Sequence, residues 1–232
     1  MSKSQQSALA ATDELTLSQV ERILDGLARH YPDADCELNH STPFELLVAT
    51  VLSAQSTDVR VNMVTEKLFK KYTTPEAYAA LTPEMLAEDI KELGLFRNKA
   101  KHLVALAQLL IEEHGGEVPA ERKALEALPG VGRKTANVVL STAFGVPAIA
   151  VDTHVFRVAR RLGLASGKTP HAVENELMAT IPEELWTATH HRLIHHGRQI
   201  CAARRPRCEA CPLVADCVYA QSADAAPASS DS

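Results

Sequence analysis

The sequence predicts an all-α fold, and three observations carry that reading. Helix-start signals recur from end to end, and the apolar residues between them fall three and four apart. No stretch of useful length alternates apolar with polar residues as a half-buried strand would, and no internal repeat is present. With 232 residues the chain can build one large domain or two small ones with real cores.

The elements follow in order. Ser18 with Glu21 reads as a capping box, and Val20, Ile23, Leu24 and Leu27 follow on one face until His30-Tyr31-Pro32 closes the helix. Thr42-Pro43-Phe44-Glu45 opens a second helix with Pro in its favoured first position, and Phe44, Leu47, Val48, Val51 and Leu52 form a buried stripe. A polar break, Ser53-Ala54-Gln55-Ser56-Thr57-Asp58, leads into a helix carrying Val61, Val64, Leu68 and Phe69. Thr74-Pro75-Glu76 and Thr82-Pro83-Glu84 start two short helices. Gly94-Leu95-Phe96-Arg97-Asn98 reads as a loop, and 100–114 as a helix stopped by Gly115-Gly116. Residues 121–128 and 133–144 form two more helices, after which Gly145-Val146-Pro147 breaks the chain. Asp152 or Thr153 caps a helix running through Arg161 to Gly163, and Thr169-Pro170 starts another through Ile181. Pro182 opens the last long helix, toward Cys201. Residues 222–232 are Ala, Ser and Asp with a single Pro, and are expected to be disordered.

The stretch Leu128-Pro129-Gly130-Val131-Gly132-Arg133-Lys134-Thr135-Ala136 joins two of these helices as a tight hairpin. Pro129 ends the first helix. Gly130 and Gly132 can take positive φ and leave the backbone bare, so N–H groups at the next helix's entry can meet an anion such as a phosphate. Lys134 falls in that helix's first turn. On the residues alone, this is either a plain helix–helix turn with a phosphate-contacting lysine or a site of chemistry.

The formal net charge is −5. Acidic residues gather in 76–92, while Arg192, Arg198, Arg204, Arg205 and Arg207 crowd one late segment, so a basic face for phosphates remains available. Residues 1–16 show no basic region followed by an apolar run, so no export signal is expected, and no apolar run approaches a membrane span. Four of the five cysteines form Cys201-x6-Cys208-x2-Cys211-x5-Cys217, a pattern that without export means a metal centre before disulfides. Four thiolates can hold zinc or a [4Fe–4S] cluster. Only Cys208-x2-Cys211 fits a zinc knuckle, and the uneven spacing favours the cluster. Arg204, Arg205 and Arg207, between the first two cysteines, can offset the cluster's charge or reach a phosphate backbone. Cys36 stands apart and reads as a buried structural thiol.

The hairpin, the Val151-Asp152-Thr153-His154 that follows it, and the 6-2-5 cysteine spacing together resemble the endonuclease III family, DNA glycosylases of the helix-hairpin-helix superfamily. The resemblance runs from about Val20 to Tyr219. It implies a two-domain fold: a six-helix barrel at 36–147, and a cluster domain built from 1–35 with 148–221, with DNA across the cleft between them. It implies a bifunctional glycosylase and apurinic/apyrimidinic lyase acting on oxidised pyrimidines in duplex DNA, as a cytoplasmic, nucleoid-associated bacterial monomer. The implied nucleophile is Lys134 and the implied catalytic carboxylate is Asp152. His154 supports the site, Gln55 and Leu95 enter the duplex, and Gly130, Val131, Gly132 and Arg133 meet phosphates.

Physical chemistry bounds these roles. An amine nucleophile must be neutral, and bringing a lysine from pKa ~10.4 to neutrality near pH 7 takes roughly 4 kcal/mol. A helix N-terminus supplies only ~0.3–1 kcal/mol of that, ~2 in a buried setting. Desolvation in a cleft and a neighbouring cation such as Arg133 are expected to supply the rest. Asp152 can be a simple N-cap, a stabiliser of positive charge on the sugar, or both. Leu95 can be a duplex wedge or a core leucine. Two rivals stand: an adenine glycosylase, a group that lacks the lysine and carries a further C-terminal domain, and a non-catalytic DNA-binding module. Lys134 and the 15 residues after Cys217 speak against the first.

Overall fold

The computed structural model describes residues 15–222, and among them every regular element is helical. The chain forms α1 (Leu17–His30), α2 (Pro43–Leu52), α3 (Asp58–Lys71), α4 (Pro75–Ala79), α5 (Pro83–Asp89) and α6 (Phe96–His114). It continues through α7 (Arg122–Ala127), α8 (Arg133–Phe144), α9 (Thr153–Leu162), α10 (Pro170–Thr180), α11 (Trp186–Gln199) and α12 (Val218–Gln221). The expected disorder of 222–232 and the reading of 1–16 fall almost wholly outside the described residues.

The Thr-Pro signals start helices as expected. Thr42, Thr74, Thr82 and Thr169 each accept a backbone N–H from the third residue on, with Pro in the first turn. Some local features differ from expectation. The capping box of α1 is Thr16 with Gln19, two residues before the expected one, because Gln19 Oε1 returns to the Thr16 N–H at 2.9 Å. Helix α6 starts at Phe96 rather than 100, since Leu95 turns the chain into it with φ 58°. In the hairpin only Gly130 has positive φ, at 80°, while Gly132 is extended at φ −100° and caps α8. A Cβ at Gly130 would stand 2.9 Å from His102 of α6, so the hairpin needs glycine there for space as well as for φ.

The apolar residues separate into two cores. Leu38, α2 to α8 and Ala150 build one, and α2 lies at its heart, packed on α8, α3 and α6. Helix α1 and helices α9 to α11, with Ile149, Val151, Leu213 and Cys217, build the other. Residues 149–151 are the seam: this extended segment sends Ile149 and Val151 into one core and Ala150 into the other, as alternation dictates. Glu174 of α10, only 3% exposed, ties the cores across the seam. Its carboxylate accepts from Arg133 Nε at 2.7 Å and from Asn137 Nδ2 at 2.9 Å, both on α8.

Candidate active site and cysteine pocket

Between the two cores opens a cavity of about 800 Å³. One core contributes Lys134 and Thr135 from α8, the 53–58 turn after α2, and Leu38. The other contributes Asp152, Thr153 and His154 at the start of α9, and His190, His191, His195 and Arg198 from α11. The hairpin lysine and the aspartate 18 residues later therefore line one space.

Lys134 lies in the first turn of α8, whose N-cap Gly132 offers no side-chain hydrogen bond. A Cβ on Gly132 would meet nothing within 4 Å, so the helix entry is open to an approaching anion. The surroundings of Lys134 differ from expectation in two ways. The side chain is exposed, so desolvation is not built into the free protein. Arg133 donates its Nε to buried Glu174, so its charge is already offset. Val131 is buried and serves the hairpin's packing.

Asp152 is the N-cap of α9, with Oδ1 accepting the Val155 N–H at 2.7 Å. Among the described residues Oδ2 makes no hydrogen bond, so one oxygen caps the helix while the other has no partner, and the residue lines the cavity. His154 Nδ1 stands 3.1 Å from Arg157 Nη2, which donates to it. Burial holds the His154 pKa below the usual histidine range, and Arg157 adds to this against the pull of Asp152. A neutral, fastened imidazole fits the supporting part expected of it.

The histidines of α11 were not anticipated as cavity walls. His190 is fully buried, and neither ring nitrogen has a partner of normal hydrogen-bond geometry, although backbone groups of Trp186 and Ala148 approach. Burial drives its pKa well below the usual value, with His191 and the Lys134 ammonium acting the same way. Burial pushes His191 down to about 4, although Asp35 pulls the other way. Their rings lie 3.9 Å apart. The available sequence signal was the pair of doublets His190-His191 and His195-His196 on one helix just ahead of the first clustered cysteine. At the cavity mouth Arg198 joins Glu37 to Asp58, at 2.6 Å from the latter. Cys36 also lines the cavity rather than being sealed in a core.

Gln55 and Leu95 are both exposed, at φ 55° and 58°. Leu95 is 53% exposed and so is no core leucine. The two tips are neighbours: a Cβ on Gly94 would touch the Gln55 carbonyl at 3.5 Å.

Cys201, Cys208, Cys211 and Cys217 are all unpaired and line a second, small pocket walled by Leu162, Ile200, Val214 and Tyr219. Burial pushes Cys211 up to about 11, and the neighbouring thiols Cys217, Cys201 and Cys208 act in the same direction. Four crowded thiols cannot all ionise without a cationic centre among them. Among the described residues no three metal-binding side chains converge closely enough to hold a single ion. Arg161 Nη1 donates to Cys201 Sγ at 3.4 Å and to the Ala202 carbonyl at 2.7 Å. Arg204 and Arg205 project from the 201–208 loop, whereas Arg207 turns back to donate to the Gln199 carbonyl.

Residues 48–183 match the HhH-GPD superfamily of base excision DNA repair proteins. Endonuclease III of Bacillus subtilis is 56% identical over 211 residues, which cover 90% of this chain and 96% of that protein. Endonuclease III of Escherichia coli K12 is 50% identical, covering 87% and 96%. A solved structure described as a trapped endonuclease III–DNA covalent intermediate, an estranged-adenine complex, superposes with a TM-score of 0.86 at 53% identity, over 89% of this chain and 98% of that one. The likeness thus runs along nearly the whole length, and the chain belongs to the endonuclease III family of base excision repair DNA glycosylases.

Proposed function

We propose that Lys134 is the nucleophile and Asp152 the assisting carboxylate of a bifunctional DNA glycosylase and apurinic/apyrimidinic lyase that removes oxidised pyrimidines from duplex DNA. The observation that carries this reading is the meeting of an open-ended lysine and a half-free carboxylate in one cavity between two cores. We take those cores as two domains, 36–147 and 1–35 with 148–221.

The Lys134 amine attacks C1′ as the bond from C1′ to the base breaks, and the base leaves with the bonding pair and gains a proton. Asp152 faces the positive charge that develops on the sugar and helps manage the lysine's proton. The sugar ring opens and a Schiff base forms at C1′. Loss of a C2′ proton then expels the 3′ phosphate oxygen, which cuts the strand on the 3′ side. Water hydrolyses the Schiff base and frees Lys134. The target nucleotide must leave the stack to reach the cavity, and Gln55 and Leu95 are placed to fill the gap it leaves. Gly130, Gly132 and the α8 entry receive a phosphate, and Arg204 and Arg205 give sequence-independent contacts. Arg207 and His154 act by holding the loop and the site. The helices carry no membrane span among the described residues, in keeping with a cytoplasmic enzyme at the nucleoid.

Borohydride with abasic-site duplex tests the reading. A covalent adduct is expected, together with release of oxidised pyrimidines from duplexes that each hold one defined lesion. Binding without an adduct would make the chain a non-catalytic module. Adenine release opposite oxidised guanine, without an adduct, would favour the adenine-type rival.

The four-thiol pocket fits a [4Fe–4S] cluster held by Cys201, Cys208, Cys211 and Cys217. Thiols that share one pocket without converging on a point suit a four-iron cube better than a single zinc ion. When bound, the cluster supplies a cross-link rather than chemistry: it closes the 201–217 loop. Anaerobically purified protein should be brown, with about four irons per chain and no stoichiometric zinc. Zinc in place of iron would overturn the cofactor and leave the glycosylase reading intact.

A further inference from the structure

Lys99 is buried to 4% exposure yet has no carboxylate partner among the described residues. Its ammonium instead donates to the Leu52 carbonyl at 2.8 Å and to Ser56 Oγ at 3.0 Å. Leu52 is the last residue of α2, where unpaired carbonyls and the negative end of the helix dipole favour a cation. Burying a lysine is costly, and burial holds its pKa below the usual range. A plain core position would be filled more stably by an apolar residue, so the placement asks for a reason.

The reason lies in what the bonds connect. Lys99 belongs to the first turn of α6, and its N–H donates to the carbonyl of Leu95. Its side chain grips both sides of the turn that carries Gln55. A second bond runs in the opposite direction: Arg60, in the first turn of α3 just beyond Gln55, donates from Nε to the Glu92 carbonyl at 2.8 Å, just ahead of Leu95. Each tip is thus fastened by a cation rooted beside the other. Both tips hold non-glycine residues at positive φ, a conformation that needs support from its surroundings.

We propose that Lys99 and Arg60 are positioning residues that lock the Gln55 and Leu95 turns into one two-pronged wedge, set before DNA arrives, for filling the gap left by the flipped nucleotide. The inference rests on the wedge role given above to Gln55 and Leu95. Preset prongs lower the cost of insertion, because the ordering has been met in folding rather than on the duplex.

A duplex with a tetrahydrofuran abasic analogue opposite 2-aminopurine reads the wedge directly, since 2-aminopurine brightens when its stacking is broken. Wild type at saturating concentration should give a clear rise, and a Gln55→Ala/Leu95→Ala double variant should lose it. Lys99→Met and Arg60→Met should each lower the amplitude at least about threefold, as the inserted population falls. Borohydride trapping on single-stranded abasic DNA, which has no gap to fill, should stay within about twofold of wild type in both. A full rise in either folded variant overturns the proposal, as does an equal loss in fluorescence and single-strand trapping, the mark of a merely structural role. If Lys99→Met does not fold, Arg60→Met, whose side chain is on the surface, decides alone. A rise that survives the double variant, or none in wild type, sinks the wedge assignment itself and this proposal with it.

Discussion

Lys134→Gln abolishes base release and borohydride trapping, lowering each by on the order of 10,000-fold or more, while affinity for abasic-site duplex stays within about threefold. The substitution leaves a polar side chain one atom shorter at the open entry of α8, so a phosphate can still be met by backbone N–H groups. What it removes is the only kind of group at that entry that can form a Schiff base. The size of the loss separates two readings of the lysine. A phosphate contact would cost affinity and leave the rate of the bound complex nearly unchanged, whereas a nucleophile costs the rate and leaves affinity. In the free protein Lys134 is exposed and Arg133 is spent on Glu174. The desolvation that an amine nucleophile requires must therefore arrive with the DNA, as the duplex covers a cavity whose far wall is the neutral pair His190 and His191. Single-turnover rates beside equilibrium binding decide the matter, and a trapped adduct in the variant would place the nucleophile elsewhere.

The parts of this site that the sequence discloses are those fixed by local chemistry. The Thr-Pro starts, the glycine at Gly130 and the closely spaced cysteines act within a turn or a short loop, and each is where short-range rules put it. Asp152 as a helix cap is local in the same sense. The opposite wall of the cavity is not local. His190, His191 and Arg198 share a cavity with Lys134 only because two cores pack side by side, and nothing near them in the chain states which helix they will face. Arg133 shows the same limit from the other side. As a basic residue in a phosphate-receiving hairpin it reads as a DNA contact, and nothing near it in the chain states that a glutamate 41 residues on will bind its Nε. Lys99 carries no signal in sequence that sets it apart from an exposed lysine, and its burial follows from the turn after α2 packing over it.

Asp152→Asn lowers single-turnover base excision about 100- to 1,000-fold, with a melting temperature close to wild type. The geometry makes this variant a clean separation of its two roles. The cap is made by one oxygen, which accepts the Val155 N–H at 2.7 Å. Asparagine keeps an oxygen there and ranks with aspartate as an N-cap, so helix α9 keeps its start. What is lost is the negative charge of the carboxylate, in a cavity that Lys134 also lines. Removing the cap altogether, as in Asp152→Ala, costs ~1 kcal/mol of stability. Removing a preorganised charge from a developing cation costs about 3–4 kcal/mol of the barrier. The two variants should therefore share the rate defect and differ in stability, with only Asp152→Ala melting measurably lower. Rates at saturating enzyme and thermal unfolding of the same preparations test it. Near-normal excision by Asp152→Asn would leave the aspartate with its capping role alone, and the positive charge on the sugar would need another neighbour.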